Sequence, residues 1–432
     1  MYKDLVLTKF NQEMKLASGC TEVGCIAYAA AIAAKELNGL PERILLSVSP
    51  NIYKNGLCVF VPGTHMRGFE IAAALGCVLQ NPEKSLSLME HATPDQIDAA
   101  LRLVKKGNIA VTCLDTPELI SLQIDLFQND HHVTVSLHES HTNITEIIVD
   151  DKIKYKKSSS QKNKPPQTQL HSVPLEELIN FLVSQDTSEF SFLLEAAQIN
   201  YKAAEESFKS PETSLTHSLR HLLTDLPQPF NVIRQAQIWT TAASEARMIG
   251  LPAPVMSITG SGNHGITNFL GMYIVAETLG VSEEKAIQSL MISTALTIYI
   301  KEYTGRVTAY CGSAIAPTSG VAAGTVYLLG GNYNQMMQAV QSVLGTFSGI
   351  LCDGAKESCA YKINAAIASA IEFAFLAMDD VGVPLRNGII GNSIQETLEN
   401  LAKLNNPGMV ETDRVVISLI QKNKIPLEKL TF

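Results

Sequence analysis

Residues 151–176 read DKIKYKKSSSQKNKPPQTQLHSVPLE, and they separate two different kinds of sequence. The stretch is rich in Lys, Ser, Gln and Pro, and it offers no apolar face to bury. It therefore predicts a loop or linker. Upstream, from about residue 41, short runs with strand alternation dominate. Downstream, from about residue 177, the pattern is helical almost to the end and rich in Ala and other small residues, which let helices approach closely.

The segment before the linker reads as a compact α+β module. Glu42–Pro50 alternates as a strand. Lys54-Asn55-Gly56 has the Asn-Gly signature of a hairpin turn, which makes Leu57–Thr64 the return strand. Helices are expected near Gly68–Gln80 and Thr93–Lys106. Three or four short strands follow, drawn from Asn108–Leu114, Ser121–Phe127, His131–His138 and Ile144–Asp150. Residues 1–40 read as two helices, one from about Lys3 to Leu16 and one opening after Cys20 with Thr21 as N-cap and Asn38-Gly39 as its stop. The expected fold is α+β. Residues 1–40 and 177–432 form a mostly helical body, 41–150 an inserted α+β module and 151–176 the linker.

Composition narrows the functional classes. A chain of 432 residues is long enough for two domains with a large core. The net charge is −9 with no basic stripe, which argues against a nucleic-acid partner. The opening MYKDLVLTKF carries charges where a signal peptide needs apolar residues. No uninterrupted apolar run reaches ~18 residues, so no membrane span is expected. The run Ala365–Met378 contains Glu372 and fits a core helix. A cytoplasmic location is expected, and with it reduced thiols. The eight cysteines are then packing, catalytic or metal-binding residues. The low charged fraction, 17%, suggests much buried helical surface, a homo-oligomer (dimer) interface included.

Three clusters carry chemistry. Gly260-Ser261-Gly262-Asn263-His264-Gly265 matches G-x-G-x-x-G, but helices follow where a dinucleotide fold needs a second strand, so no NAD site is expected. The loop is either an anion site for a substrate carboxylate, with Ser261, Gly262 and Asn263 as contacts, or a tight helix–helix turn. Cys352 and Cys359 straddle a glycine-containing loop, with Cys311 upstream. The C-x₂₋₄-C pairs of structural zinc are absent. Three thiols on separate loops suit a [4Fe–4S] cluster with one open iron, and they equally suit inert core cysteines. Cys20 sits at a helix N-terminus, where dipole and free N–H groups favour a thiolate. Glu22 is a second acid/base candidate or favourable first-turn charge. Asn51, Lys54, Asn55 and Thr64 frame the expected hairpin, and His141 and Asn143 open a strand. All six are substrate-binding candidates with structural explanations of their own. Esterase, zincin and P-loop motifs are missing, and no lysine is marked as a pyridoxal phosphate (PLP) anchor.

Taken together, ASGCTEVG, SPNIYKNGLCVFVPGT, HTNI, GSGNHGIT and ILCDGAKESCAYKI resemble the L-cysteine desulfidase group of the iron–sulfur L-serine dehydratase alpha-chain family, in order and in spacing. The likeness covers nearly the whole chain outside the linker. It implies PLP-independent β-elimination of L-cysteine to pyruvate, ammonia and sulfide. It implies Cys311, Cys352 and Cys359 as cluster ligands and Cys20 as base. Two departures stand beside these positions: Val23 replaces the usual Pro, and His264 the usual Gln. An L-serine dehydratase-type deaminase and a non-catalytic amino-acid sensor remain the alternatives. The mechanism demands that Cys20 reach the three distant cysteines.

Overall fold

A computed structural model describes residues 2–157, 169–221 and 226–422, and it is an α+β fold dominated by helices, 61% of the chain. The first half runs α1 (Tyr2–Glu13), β1 (Met14–Ala17), α2 (Thr21–Leu37), β2 (Arg43–Val48), α3 (Pro50–Gly56), α4 (Phe69–Leu79), α5 (Pro94–Lys105), β3 (Ile109–Cys113), β4 (Ser121–Gln128), β5 (His131–His138), β6 (Ile144–Val149) and β7 (Lys152–Lys156). The second half runs α6 (Leu175–Val183), α7 (Phe192–Lys209), α8 (Ser214–Arg220), α9 (Phe230–Met248), β8 (Val255–Ile258), α10 (Gly262–Gly265), α11 (Gly271–Leu279), α12 (Glu283–Thr304), α13 (Gly312–Leu328), α14 (Tyr333–Phe347), α15 (Ser358–Met378), α16 (Ile394–Lys403) and α17 (Val410–Lys422).

Six strands form one sheet in the order β3-β2-β4-β5-β6-β7. Strands β2 and β3 are parallel, joined by a crossover through α3, α4 and α5, and the other pairs are antiparallel. Leu122, Ile124 and Leu126 on β4 face Leu137, Val135 and Val133 on β5, and all six are fully buried. This period-2 alternation makes one apolar face, which α2 covers. Helix α2 is alanine-rich and buried almost all round. Its small residues let α4 come close enough that a Cβ at Gly76 would lie 2.2 Å from the Ala27 carbonyl oxygen.

The apolar residues fall into two cores. One holds α2 to α5 and the sheet, with Ile417 and Ile420 of α17 packed against it, and the other holds α1 and the body of helices between α6 and α16. The sequence reading groups residues 21–37 with the helical body. Their packing puts them in the sheet's core instead, because the Ala/Ile surface of α2 matches the buried face of β4 and β5. In the helical core, α12 is buried along almost its whole length. Helix α13 crosses it closely at Gly320, where a Cβ would meet the Ser293 carbonyl oxygen at 2.5 Å. Helix α15 is apolar and long enough to cross a membrane by composition. Its stripe Ile363, Ala366, Ile367, Ala370, Ile371 and Ala374 recurs at helical spacing and is fully buried in the helical core. Each buried isoleucine contributes about 1.5–3 kcal/mol.

Four local expectations change. The first helix stops at Glu13, and Met14–Ala17 pairs with Val255–Ile258 as a two-stranded sheet. The expected hairpin is a helix: Pro50 sits in the first turn of α3, where its fixed φ and missing N–H cost nothing, and Asn55-Gly56 ends it. The expected return strand reduces to a single bridge between Phe60 and Arg67. Within the expected linker, Lys152–Lys156 adds an edge strand to the sheet, antiparallel to β6. Residues 158–168 lie outside the described residues.

Candidate active site

The two cores meet at a cavity of about 110 Å³. The sheet side contributes Cys20, Thr21 and Glu22 from the start of α2, Asn55 from α3 and His141 from the β5–β6 turn. The helical side contributes Arg247, the 259–264 turn, residues 306–313 and the Cys352–Cys359 loop. All four of the singled-out cysteines, Cys20, Cys311, Cys352 and Cys359, line this one space.

Local backbone geometry explains the convergence. Cys311 and Cys352 are brought side by side by a short antiparallel bridge: the Cys311 N–H donates to the Ile350 carbonyl at 2.6 Å and the Cys352 N–H to the Ala309 carbonyl at 2.7 Å. Cys311 is the N-cap of α13, Cys359 lies in the first turn of α15, and Cys20 is the N-cap of α2. Three thiols thus stand at helix N-termini, where negative charge is favoured. Thr21, expected as the α2 cap, is its first helical residue; its hydroxyl donates to the Gly260 carbonyl at 3.1 Å and ties the two sides together. Gly354 has φ +95°, and its missing Cβ leaves room for the Lys54 carbonyl oxygen, 2.3 Å from where that atom would stand. The loop between Cys352 and Cys359 therefore lies directly on α3.

Asn55 is the polar hub. Its Nδ2 donates to Glu22 Oε1 at 3.0 Å, and its Oδ1 lies 3.8 Å from Cys352 Sγ, 297 positions away. Cys20 Sγ donates to Glu22 Oε2 at 2.7 Å. Burial pushes the Cys20 thiol well up, and the Glu22 charge adds to it; Arg247 pulls the other way. The helix N-terminus does not prevail here, so the resting form is thiol beside carboxylate. Burial would raise Glu22 as well, but His141 and the Cys20 thiol outweigh it and hold the carboxyl at about 2. His141 Nε2 stands 3.8 Å from Glu22 Oε1, an electrostatic contact too long for a hydrogen bond, and that buried nitrogen has no hydrogen-bond partner.

The Gly260–Gly265 segment follows β8: Gly260 and Ser261 turn the chain, and Gly262–Gly265 is α10 itself. Among the described residues strand β8 pairs only with β1, so this strand–turn–helix unit is not a dinucleotide fold. Ser261 and Asn263 line the cavity. Gly262 leaves room for the Arg247 guanidinium, whose Nη1 donates to Asn263 Oδ1 at 3.1 Å and whose Nε donates to the Gly19 carbonyl at 3.0 Å. His264 also lines the cavity, and burial, then Lys301 and Arg247, lower its pKa well below the usual imidazole value.

Four candidates lie elsewhere. Lys54 is fully buried and pairs with Asp413 of α17 at 2.5 Å, away from the cavity. Thr64 closes its own loop, donating to the Val61 carbonyl at 2.8 Å. Asn143 caps the β5–β6 turn through the His138 carbonyl, and Asn51 lies in the first turn of α3 outside the lining. In these four the structural explanation prevails. The residues missed by motif reading are Arg247, Thr259, Arg306 and Tyr310, which line the cavity, and Lys301 behind it. The only available signal was a pair of charges closing a long uncharged helical run, as at Glu245-Ala246-Arg247 and Lys301-Glu302.

A sequence profile described as the serine dehydratase alpha chain matches residues 83–418. The chain belongs to the serine dehydratase alpha-chain family. Relatives named UPF0597 protein extend the likeness to the N-terminal segment. The one from Methanocella arvoryzae is 41% identical and spans 97% of this chain and 99% of its own. Those from Clostridioides difficile and Desulfatibacillum aliphaticivorans are 35% and 34% identical, spanning 96% of this chain and 98% and 95% of their own. Family membership suggests a lyase acting on a small amino acid, in a family that is generally iron–sulfur dependent.

The donor set suits such a group. Among the described residues no three His, Cys, Asp or Glu side chains stand close enough to form a finished metal site. Cys359 Sγ is turned to the Gly354 carbonyl at 3.6 Å and Cys352 Sγ to Asn55, so ligation requires side-chain rotation. Burial raises the Cys359 thiol and pushes Cys311 up to about 12, so these two stay protonated until a cation draws the protons off. Around them stand Arg247, Lys301, Lys356 and Lys362. The last two pair with Asp353 at 2.6 Å and, against the pull of burial, hold its carboxyl at about 2. Three thiols, nearby lysine and arginine side chains and a buried Lys301 amine without a hydrogen-bond partner fit an anionic thiolate-held group.

Proposed function

We propose that the protein is a PLP-independent lyase that converts L-cysteine to pyruvate, ammonia and sulfide on a [4Fe–4S] cluster held by Cys311, Cys352 and Cys359. The observation that carries this reading is the meeting of Cys20 and Glu22 with those three cysteines in one cavity. When bound, such a cluster supplies an open iron, a Lewis acid for the substrate's β-sulfur. The rest is the work of the chain. Ser261, Asn263 and the charge of Arg247 receive the α-carboxylate. Glu22 receives the α-ammonium, which neutralises the charge that, beside burial, raises the Cys20 thiol. The substrate thereby lowers the pKa of Cys20, whose thiol gives its proton to solvent and, as thiolate, takes the α-proton while the Cβ–S bond breaks and the substrate sulfur leaves as sulfide. Asn55 fixes Glu22 and bridges it to the loop of Cys352. The aminoacrylate product hydrolyses once released.

The family's description favours a second reading, water elimination from L-serine by the same groups. One anaerobic assay separates them. The protein is loaded with iron and sulfide and given each amino acid in turn, and pyruvate and free sulfide are measured. Cysteine turnover well above serine turnover supports the desulfidase. The reverse supports the dehydratase. A protein that binds either amino acid without turnover is a sensor, and both readings fall.

A further inference from the structure

Three lysines among the described residues are buried: Lys9, Lys54 and Lys301. Lys9 pairs with Glu302 at 3.1 Å and Lys54 with Asp413 at 2.5 Å. Lys301 is 5% exposed, and its Nζ has no hydrogen-bond partner. A buried amine without a counterion carries a large desolvation penalty when charged and sheds its proton readily, whereas an anion bound beside it restores the charge. Its place in the fold shows where. Lys301 lies in the last turn of α12, and Nζ stands 3.5 Å from where a Cβ of Gly312 would be. Gly312 directly follows Cys311. Burial lowers the Lys301 amine to about 7; the Cys352 and Cys311 sulfurs favour its charge once they are ionised, Arg306 opposes it, and no carboxylate is among the groups that favour it. Lys301 is not part of the cavity wall, so substrate does not meet it directly.

We propose that Lys301 is the countercation of the metal–thiolate group at Cys311, Cys352 and Cys359, a positioning residue whose charge is balanced only when that group is bound. This rests on the proposed function. It accounts for Gly312, because the residue between Cys311 and Ser313 must leave space for both Lys301 and His264, whose Nε2 lies 2.6 Å from the same Cβ position. It also gives Lys301 opposite effects on folding and on loading.

The test compares wild type with Lys301→Met, Lys301→Gln and Lys301→Arg, each prepared without metal and then titrated anaerobically with ferrous iron and sulfide. In the metal-free proteins, Lys301→Met is expected to melt at a higher temperature than wild type, because a buried amine with no hydrogen-bond partner is gone. On titration, Met and Gln are expected to weaken cluster uptake at least tenfold, read from bound iron and visible absorbance, and Arg to restore it. Uptake by Lys301→Met equal to wild type overturns the proposal and leaves the proposed function standing. Lower melting temperatures for both metal-free Met and Gln variants also overturn it, since the amine is then structural. A wild type that takes up no iron removes the proposed function itself, and this inference with it.

Discussion

The thiol of Cys20 points at the carboxylate of Glu22 across 2.7 Å, and both groups are buried at the N-terminus of α2. The carboxylate's charge is one cause of the raised thiol pKa. Glu22→Gln removes that charge and keeps the shape, so the thiol pKa falls. Alkylation of Cys20, followed by mass spectrometry across a pH series, is expected to begin at lower pH in Glu22→Gln than in wild type. An unchanged or upward-shifted profile rejects the coupling. Cys20→Ser is expected to lower turnover by about 10²–10⁴, the usual worth of a positioned acid–base group.

The same carboxyl also governs acid stability. Its folded value of about 2 lies below the ordinary 4.5. A depressed carboxyl contributes stability that is fully present above the unfolded value and fades as pH falls through the folded one. Wild type is therefore expected to lose on the order of 3 kcal/mol from this group between about pH 5 and pH 2, a loss absent in Glu22→Gln. Denaturant unfolding of both proteins at several pH values measures it. Parallel pH profiles for the two proteins contradict the assignment.

Much of this was legible in the sequence, and the failures have physical causes. The strands β2 to β6 and helices α4 and α5 follow directly from period and capping; Thr93 and Gln96 form the reciprocal cap their spacing suggests. The thiols Cys311, Cys352 and Cys359 and the Cys20–Glu22 pair all reach one cavity. Lys54 stands beside Asn55 in a polar run, and only the fold shows that Asn55 faces the cavity while Lys54 faces Asp413. The Asn-Gly hairpin signal lost to Pro50, which starts a helix early enough for Asn55-Gly56 to end it. Arg247 and Lys301 left little trace, because a buried cation is defined by its surroundings and both lie on helices that read as core.

The Lys54–Asp413 pair clamps the C-terminal helix α17 onto α3, one residue from Asn55. Lys54 is fully buried while the Asp413 side chain is 25% exposed. Asp413→Asn strands the ammonium and is expected to destabilise the fold by about 2–3 kcal/mol, toward the low end for buried pairs because one partner touches solvent. The double change Lys54→Met with Asp413→Asn removes the stranded charge and is expected to recover part of that loss. A double variant no more stable than Asp413→Asn alone shows that the charge is not the cause. Chemical denaturation of the three variants gives the answer.

Gly354 combines two constraints. Its φ of +95° strains any side chain, and a Cβ would meet the Lys54 carbonyl oxygen at 2.3 Å. Gly354→Ala must push the Cys352–Cys359 loop away from α3 and is expected to cost more than about 3 kcal/mol. Gly349→Ala is the control, since a Cβ there meets nothing within 4 Å and φ is unstrained. Comparable stabilities for the two variants in thermal melts contradict the close approach of loop and helix.

The thiols make the last discrimination. If Cys311, Cys352 and Cys359 hold a cluster, serine at any of the three is expected to cut bound iron sharply in anaerobic reconstitution, because a hydroxyl keeps its proton where a thiol gives it up to iron. Cys58 is the informative comparison. It lies near the same loop, its pKa is raised chiefly by burial and lowered by Lys356, and it does not line the cavity. Cys58→Ser is expected to retain the iron content of wild type. Cys20→Ser is also expected to retain it, since Cys20 pairs with Glu22, and to lose turnover instead. Iron loss in Cys20→Ser moves that residue from base to ligand, and undiminished iron in Cys352→Ser removes the cluster from the three-cysteine loop system.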